Sequence, residues 1–378
     1  MKGNEKIVAL DLGTASLSAV LATTHRSGGP KNMNPKPEVM NVLRYPFNLA
    51  EQDMHRVFAT SLIRLFHDLY RLDRHIDSFL VGFSAPLFLE KKIQKKILRK
   101  YPDAPITKDE FRAILNSIQE ESIFKNGDAL ALVSSHFINT SINGYKISGD
   151  IVGYKGKILE IEAEATLVSK FLKSSINDAK EKFFPKSTIT YFSDPRLIIR
   201  ALLEKEPLLN SALIVDVGGE ITSLFLANSQ GALRGEHVSF GVRTLERRVS
   251  AFLSLKSDSA IKEAEAILRK LTLGTLDPVI QRKIEKIILS SLGDWWKGVH
   301  AEIERRGILI PEKVIVTGGG ADFSIFLETL RTGFRNTYKI DSEVHALTAR
   351  NFKDYFLFSG ALVGGSDLVL TSLLLFYA

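Results

Sequence analysis

The chain has 378 residues, 45% hydrophobic and 25% charged, with 50 Lys and Arg against 43 Asp and Glu and a formal net charge of +7. At roughly 150 residues per domain, that length and balance predict two or three domains of a soluble chain and exclude collagen-like, mucin-like and largely disordered classes. There is no cysteine, which excludes disulfides, thiolate nucleophiles, iron–sulfur clusters and cysteine zinc sites and fits a reducing compartment.

Residues 6–12 (KIVALDL) read as a buried strand entering a Gly-Thr turn, with 17–23 as its hairpin partner. The apolar run Ile7 to Leu10 is too short for a signal peptide. Residues 25–41 hold three prolines and two glycines and read as a long loop. Strand character resumes over 39–47. In 51–72, Val57, Leu62, Leu65, Phe66 and Leu69 recur at helical spacing, and 78–83 is a strand. Residues 90–100 (EKKIQKKILRK) carry six basic side chains. Ile93, Ile97 and Leu98 form one stripe, which predicts a helix with its charges in solvent. No aromatic residues are interleaved for base stacking, so no nucleic-acid partner is expected.

Thr107 with Glu110 three residues on predicts a capping box at the start of a helix reaching Ile118. Residues 128–170 read as strands, and helices follow at 170–182 and 194–205. Ala212 to Val217 and Thr222 to Ala227 form a second hairpin. Helices follow at 242–254, 258–271 and 276–306, then a strand, Lys313 to Thr317, entering Gly318-Gly319-Gly320. Trp295 and Trp296 point apart on their helix, one into the core and the other toward a partner surface. The last eleven residues, Leu368 to Ala378, cannot span a ~30 Å hydrocarbon layer as a helix and predict a packed terminal helix or strand. The eight histidines show no H-x-x-x-H spacing, so nothing supports a metal hydrolase.

The informative pattern is an internal repeat. VALDLGTASLSAVLA and LIVDVGGEITSLFLA share one plan: strand, Asp, apolar residue, Gly, tight turn, returning strand. Glycine lets backbone N–H groups approach an oxyanion, and successive N–H groups in a turn form an anion nest. A carboxylate beside phosphate holds hydrated Mg²⁺ rather than the phosphate itself. Two facing hairpins would grip the phosphates from both sides, and the third glycine run would let a nucleoside lie against backbone. Other phosphate signatures, G-x-x-x-x-G-K-[ST] and G-x-G-x-x-G after a strand, are missing.

In these motifs the sequence resembles the actin-like ATPase superfamily. VALDLGTAS resembles its first phosphate motif, LIVDVGGEITS the second and VIVTGGGADF the adenosine motif. Asp194-Pro195 and the helix RLIIRALLEK resemble the connecting segment. ITKDEF, SSHFINTSINGYKI, YKGKILEIEA, FGVRTLERRV and AIKEAEAILRKL follow the order of the bacterial cell-division FtsA family.

The resemblance implies an α/β, ribonuclease-H-like two-domain core with an inserted small α/β subdomain. Domain I would take 1–84, the insertion 85–189 and a connecting helix 190–208; domain II would take 209–354, and 355–378 would close domain I. ATP and Mg²⁺ would be the cofactors. Nucleotide contacts would come from Asp11, Gly13, Thr14, Ser16, Asp216, Gly218, Gly219, Thr222, Glu265, Gly318, Gly319 and Gly320. Asp11 and Asp216 would hold Mg²⁺ through water, and Asp194 would orient an attacking water. Glu220 in place of a glycine adds bulk and charge beside the phosphates, Ser223 replaces an aspartate, and Leu268 stands where A-E-x-x-K has its lysine. These departures imply at most a slow ATPase.

The resemblance further implies a scaffold at the cytoplasmic face of the membrane, able to polymerise, with the tubulin-like division protein FtsZ as partner. The amphipathic tail that the resemblance would add is not found here, so either the chain has been cut short or membrane attachment would run through a partner or the net charge. PilM, of the type IV pilus platform, is the alternative: its second hairpin also lacks the final aspartate, and its partner is a pilus-type membrane protein. A sugar or acid kinase of the same superfamily is the third reading.

Overall fold

The structure, a computed structural model, describes residues 4–24, 36–47, 54–124, 129–147, 149–228, 231–255, 259–357 and 359–377. Most of the predicted loop at 25–41 lies outside them. The chain opens with β1 (Glu5–Leu12), β2 (Ser16–Thr24), β3 (Glu38–Pro46), α1 (Met54–Leu72) and β4 (Ser78–Phe83). Then come β5 (Phe88–Leu98), α2 (Lys108–Phe124), β6 (Leu130–Ile142), β7 (Tyr145–Ile147), β8 (Ile158–Ser169), α3 (Lys170–Phe183), β9 (Thr188–Ser193) and α4 (Asp194–Lys205). The second half holds β10 (Ser211–Val217), β11 (Thr222–Asn228), β12 (Gly231–Val238), α5 (Val242–Phe252), α6 (Ala260–Thr272), α7 (Pro278–Arg306) and β13 (Lys313–Thr317). It ends with α8 (Ser324–Gly333), β14 (Glu343–Ala346) and α9 (Leu368–Tyr377).

The two halves build the same sheet twice. The first runs β3-β2-β1-β4-β9 and the second β12-β11-β10-β13-β14. In each, three antiparallel strands are followed by two parallel ones. The repeat legible in two hairpins therefore extends over five strands per half. Both faces of each sheet are covered, so the central strands are apolar throughout. On the outer face of the first sheet Val8, Leu10 and Leu12 meet Phe58, Phe66 and Leu172, so α1 and α3 pack side by side there. On the second, Leu213 and Val215 meet Leu245, Leu268 and Trp295 from α5, α6 and α7. The inner faces share one core: Ile7, Ala9, Ile214 and Ile315 close over Leu197 and Leu202 of α4 and Leu370 and Leu373 of α9. The C-terminal segment is thus a helix between the two sheets. Among the described residues no helix is long and apolar enough to cross a membrane.

A third, four-stranded sheet, β5-β8-β6-β7, interrupts the first half after β4. Of residues 90–100, expected as a helix, 90–98 belong to strand β5 instead. Ile93 and Ile97 fit a period of two as well as a helical stripe, and Leu98 is 70% exposed. The antiparallel register settles the choice, because β5 lies along β8 over its whole length. That register brings Lys96 to Glu160 at 2.9 Å and Lys92 to Glu162 at 3.9 Å. The capping box at α2 is half made. The Glu110 N–H donates to Thr107 Oγ1 at 3.1 Å. The Glu110 carboxylate instead accepts from Arg99 Nε at 2.7 Å and Nη2 at 2.9 Å. Trp295 is fully buried. Trp296, the half-buried one of the pair, packs edge-on against Phe334 with ring centroids 5.3 Å apart.

Candidate functional site

The two hairpins match residue for residue. In each, four residues separate the last strand pair, Leu12 with Leu17 and Val217 with Thr222. The Gly13 N–H donates to Ser16 O at 3.1 Å, and the Gly218 N–H donates to Ile221 O at 2.9 Å. These two amides close the turns. The N-terminus of α5 holds the second turn from behind: the N–H groups of Val242 and Arg243 donate to the Gly218 and Gly219 carbonyls at 2.9 and 2.8 Å.

The tips touch rather than stand apart. A Cβ built on Gly219 would lie 2.4 Å from Ala15 Cβ. The Glu220 N–H donates to Thr14 Oγ1 at 3.1 Å across the gap. A cleft of about 490 Å³ opens beside this contact. It takes in Asp11, Gly13, Thr14, Ser16, Asp194, Asp216, Gly218, Gly219, Glu265, Gly318 and Gly319 from the expected set.

Two expected residues are elsewhere. Thr222 is fully buried; its hydroxyl donates to Phe240 O at 2.7 Å and accepts from Trp295 Nε1 at 2.9 Å. Ser223, paired with Asp216, lines the cleft instead. Gly320 packs under Val217, where a Cβ would lie 2.3 Å from the Val217 Cβ. Gly318 carries φ +73°, and a Cβ there would strike Asp216 Oδ1 at 2.4 Å, so only glycine fits.

Glu220 does not crowd the cleft. Its carboxylate turns to Arg247 of α5 in a bidentate pair at 2.8 and 2.6 Å. The missing lysine has a neighbour in its place: Leu268 is buried, while Arg269, one residue on, lines the cleft. Arg269 Nε donates to Glu265 Oε1 at 3.1 Å, and its guanidinium lies 5.6 Å from the Phe323 ring centroid. Arg243 donates to Glu246 at 2.7 Å and approaches Glu265 at 3.7 Å. Arg243, Glu246, Arg269, Asp322 and Asp367 were not anticipated; only Arg269 had a sequence signal, its offset from the A-E-x-x-K lysine.

At the hairpin end, carboxyl groups converge. Burial, then Asp216, pushes Asp11 up to about 7 against the Ser84 hydrogen bond. Burial lifts Asp216 to about 6 against the hydrogen bond from Thr317. Burial and then Asp11 hold Asp194 well above the carboxylate range. Ser84 Oγ donates to Asp194 Oδ2 and lies 3.4 Å from Asp11 Oδ1. The other Asp194 oxygen, Oδ1, is buried without a partner. Burial pushes Glu246 up to about 7 against Arg243. Among the described residues no three His, Asp or Glu side chains already form a direct metal-ligand set. Seven carboxyl groups and three arginines line the cleft, so a polyphosphate entering it needs accompanying cations.

No family model matches the sequence, and no curated protein emerges as a sequence relative. Solved structures do match. One is a PilM–PilN type IV pilus biogenesis complex: 15% identity, 98% of this chain and 97% of that one covered, TM-score 0.63. Another is the ethanolamine utilization protein EutJ from Carboxydothermus hydrogenoformans: 13% identity, 100% and 90% covered, TM-score 0.49. A third is a MamK double helical filament: 11% identity, 99% of each chain covered, TM-score 0.49. With the doubled sheet order and the paired hairpins, the match to the pilus-complex structure identifies the fold of this chain as the actin-like ATPase fold, a ribonuclease-H-like two-domain core.

Proposed function

We propose that the protein is an ATP-binding, actin-like scaffold whose nucleotide lies in the cleft beside the touching hairpin tips. The observation that carries this reading is the convergence of Asp11, Asp216 and Asp194 at the matched turns, with Asp194 Oδ1 buried and unpartnered. A carboxyl cluster that ionises with difficulty suits a hydrated divalent cation. Asp11 and Asp216 would hold Mg²⁺ through water, and the ion would offset phosphate charge. Gly13 and Gly218 already spend their N–H groups in the turns, which leaves Thr14 and Gly219 to face the phosphates. The nucleoside would lie against Gly318 and Gly319, with Glu265 on the ribose and Arg269 and Phe323 at its far end. Asp194 would orient a water; burial and the neighbouring Asp11 disfavour its ionised form, which fits a clamp or slow ATPase rather than a fast one.

Between the two scaffold roles, the pilus-platform reading is better supported. The similarity to the pilus-complex structure runs end to end, and Ser223 stands where the division family has an aspartate. Its partner would be a membrane-anchored pilus-type protein. The division role with FtsZ draws no support from these comparisons. Self-assembly and a peripheral place at the cell membrane belong to the same proposal.

Calorimetric titration with ATP in the presence and absence of Mg²⁺ tests the site. The wild-type protein should bind Mg·ATP. Gly219→Val, whose side chain must displace Ala15, should lose binding while keeping a cooperative melt. Equal affinity in the folded variant would sink the proposed site, and no binding by the wild type would sink the nucleotide reading.

A further inference from the structure

The hairpin end of the cleft carries carboxyl groups from both sheets, whereas two of its three arginines, Arg243 and Arg269, are tied to Glu246 and Glu265. The third, Arg44, comes from β3. Cross-strand register places Asp11, Ser18 and Arg44 in one row over β1, β2 and β3. Residues in such a row share a face, here the inner face that also carries Ala9, Val20 and Val42. Arg44 lines the cleft and its side chain is 43% exposed. Its Nη2 donates to Asp367 Oδ1 at 2.7 Å and to Ala361 O at 3.1 Å. Asp367 is close enough to Asp11 to raise its pKa, so the guanidinium stands one carboxyl group away from the first hairpin.

Resting on the nucleotide reading of the cleft, we propose that Arg44 is its phosphate-binding arginine, exchanging Asp367 for the terminal phosphoryl group of the bound nucleotide. A guanidinium matches a phosphoryl group with two parallel N–H donors. It needs only to rotate on a half-exposed stem. The Asp367 carboxyl, relieved of Arg44, keeps the N–H groups of Val363 and Gly364 at 3.2 Å. The loop before α9 therefore stays fastened when the arginine leaves.

The test compares affinities of Mg·ATP, Mg·ADP and AMP for wild type, Arg44→Ala, Arg44→Lys and Asp367→Asn, with melting curves as folding controls. Arg44→Ala should weaken Mg·ATP at least about tenfold, the scale of a lost charge-assisted contact. It should weaken Mg·ADP less and leave AMP unchanged. Arg44→Lys should recover part of the loss. Asp367→Asn should hold or raise Mg·ATP affinity, because it frees the arginine and removes a negative charge. If Arg44 serves only to fasten the loop, Arg44→Ala and Asp367→Asn should weaken all three ligands alike, and the proposal falls. An unchanged preference for ATP over ADP in Arg44→Ala overturns the Arg44 role alone. Failure of the wild type to bind any of the ligands overturns the nucleotide reading and this proposal together.

Discussion

Thr222 shows how a single side chain is placed by strand parity. Asp216 pairs with Ser223 and Val217 with Thr222. Successive residues face opposite sides, so Ser223 shares the cleft with Asp216 while Thr222 turns into the helical core. That alternation was legible in the sequence; grouping the threonine with the phosphate motif by resemblance overrode it. The two motif aspartates were legible because each ends a strand before glycine. The partner of Glu220 was not legible, since Arg247 lies 27 residues on and no local rule links them. Thr222→Val keeps the shape but strands the Trp295 N–H and the Phe240 carbonyl. An unfolding titration should register a loss of about 2–3 kcal/mol, one desolvated polar group or slightly more, with the cleft geometry unaffected.

At the scale of elements, β5 and β8 show where composition misleads. The run of lysines reads as one solvated helix face until the acidic alternation of Glu160, Glu162 and Glu164 across the ladder is known. The long-range pairing that decides between helix and strand is not written in either segment alone. Further along the same polar face the ladder is half-buried, and Glu164 meets Lys92 on one side and His136 on the other. Burial, then Glu90, pushes Glu164 up from 4.5 to about 7, with Lys92 opposing and Glu162 adding. A carboxyl group with a raised folded pKa stabilises the fold at low pH, and that contribution is lost as pH rises toward the folded value. The window here runs from 4.5 to about 7. Glu164→Gln, which cannot ionise, should melt near the wild-type temperature at about pH 5 and above it at about pH 8. An equal offset at both pH values would assign the effect to packing.

Over the whole molecule, the duplication was half visible. The motif-bearing hairpins announced it, but β4 and β13 pair in parallel with β1 and β10 and share no motif in the sequence beyond their apolar character. The position of α9 was also hidden: an apolar segment of its length suits a helix or a strand equally, and only the shared core settles the matter. Because α4 and α9 fill the space between the sheets, the two halves should unfold as one unit. Leu370→Ala, at a fully buried position, should lower stability by about 2–5 kcal/mol. Probes in either sheet should report the same denaturant midpoint; two separated transitions would show that the halves are independent.

The contact between hairpin tips has a mechanical meaning. Ala15 meets a residue without a side chain, so the approach of the two turns is gauged by a missing methyl group. The chain thereby carries its own end-stop. A ligand has no room between the tips and can lie only alongside them, where the cleft opens. Position 219 thus sets the spacing of the two turns, and a side chain added there would push them apart by forcing Ala15 aside.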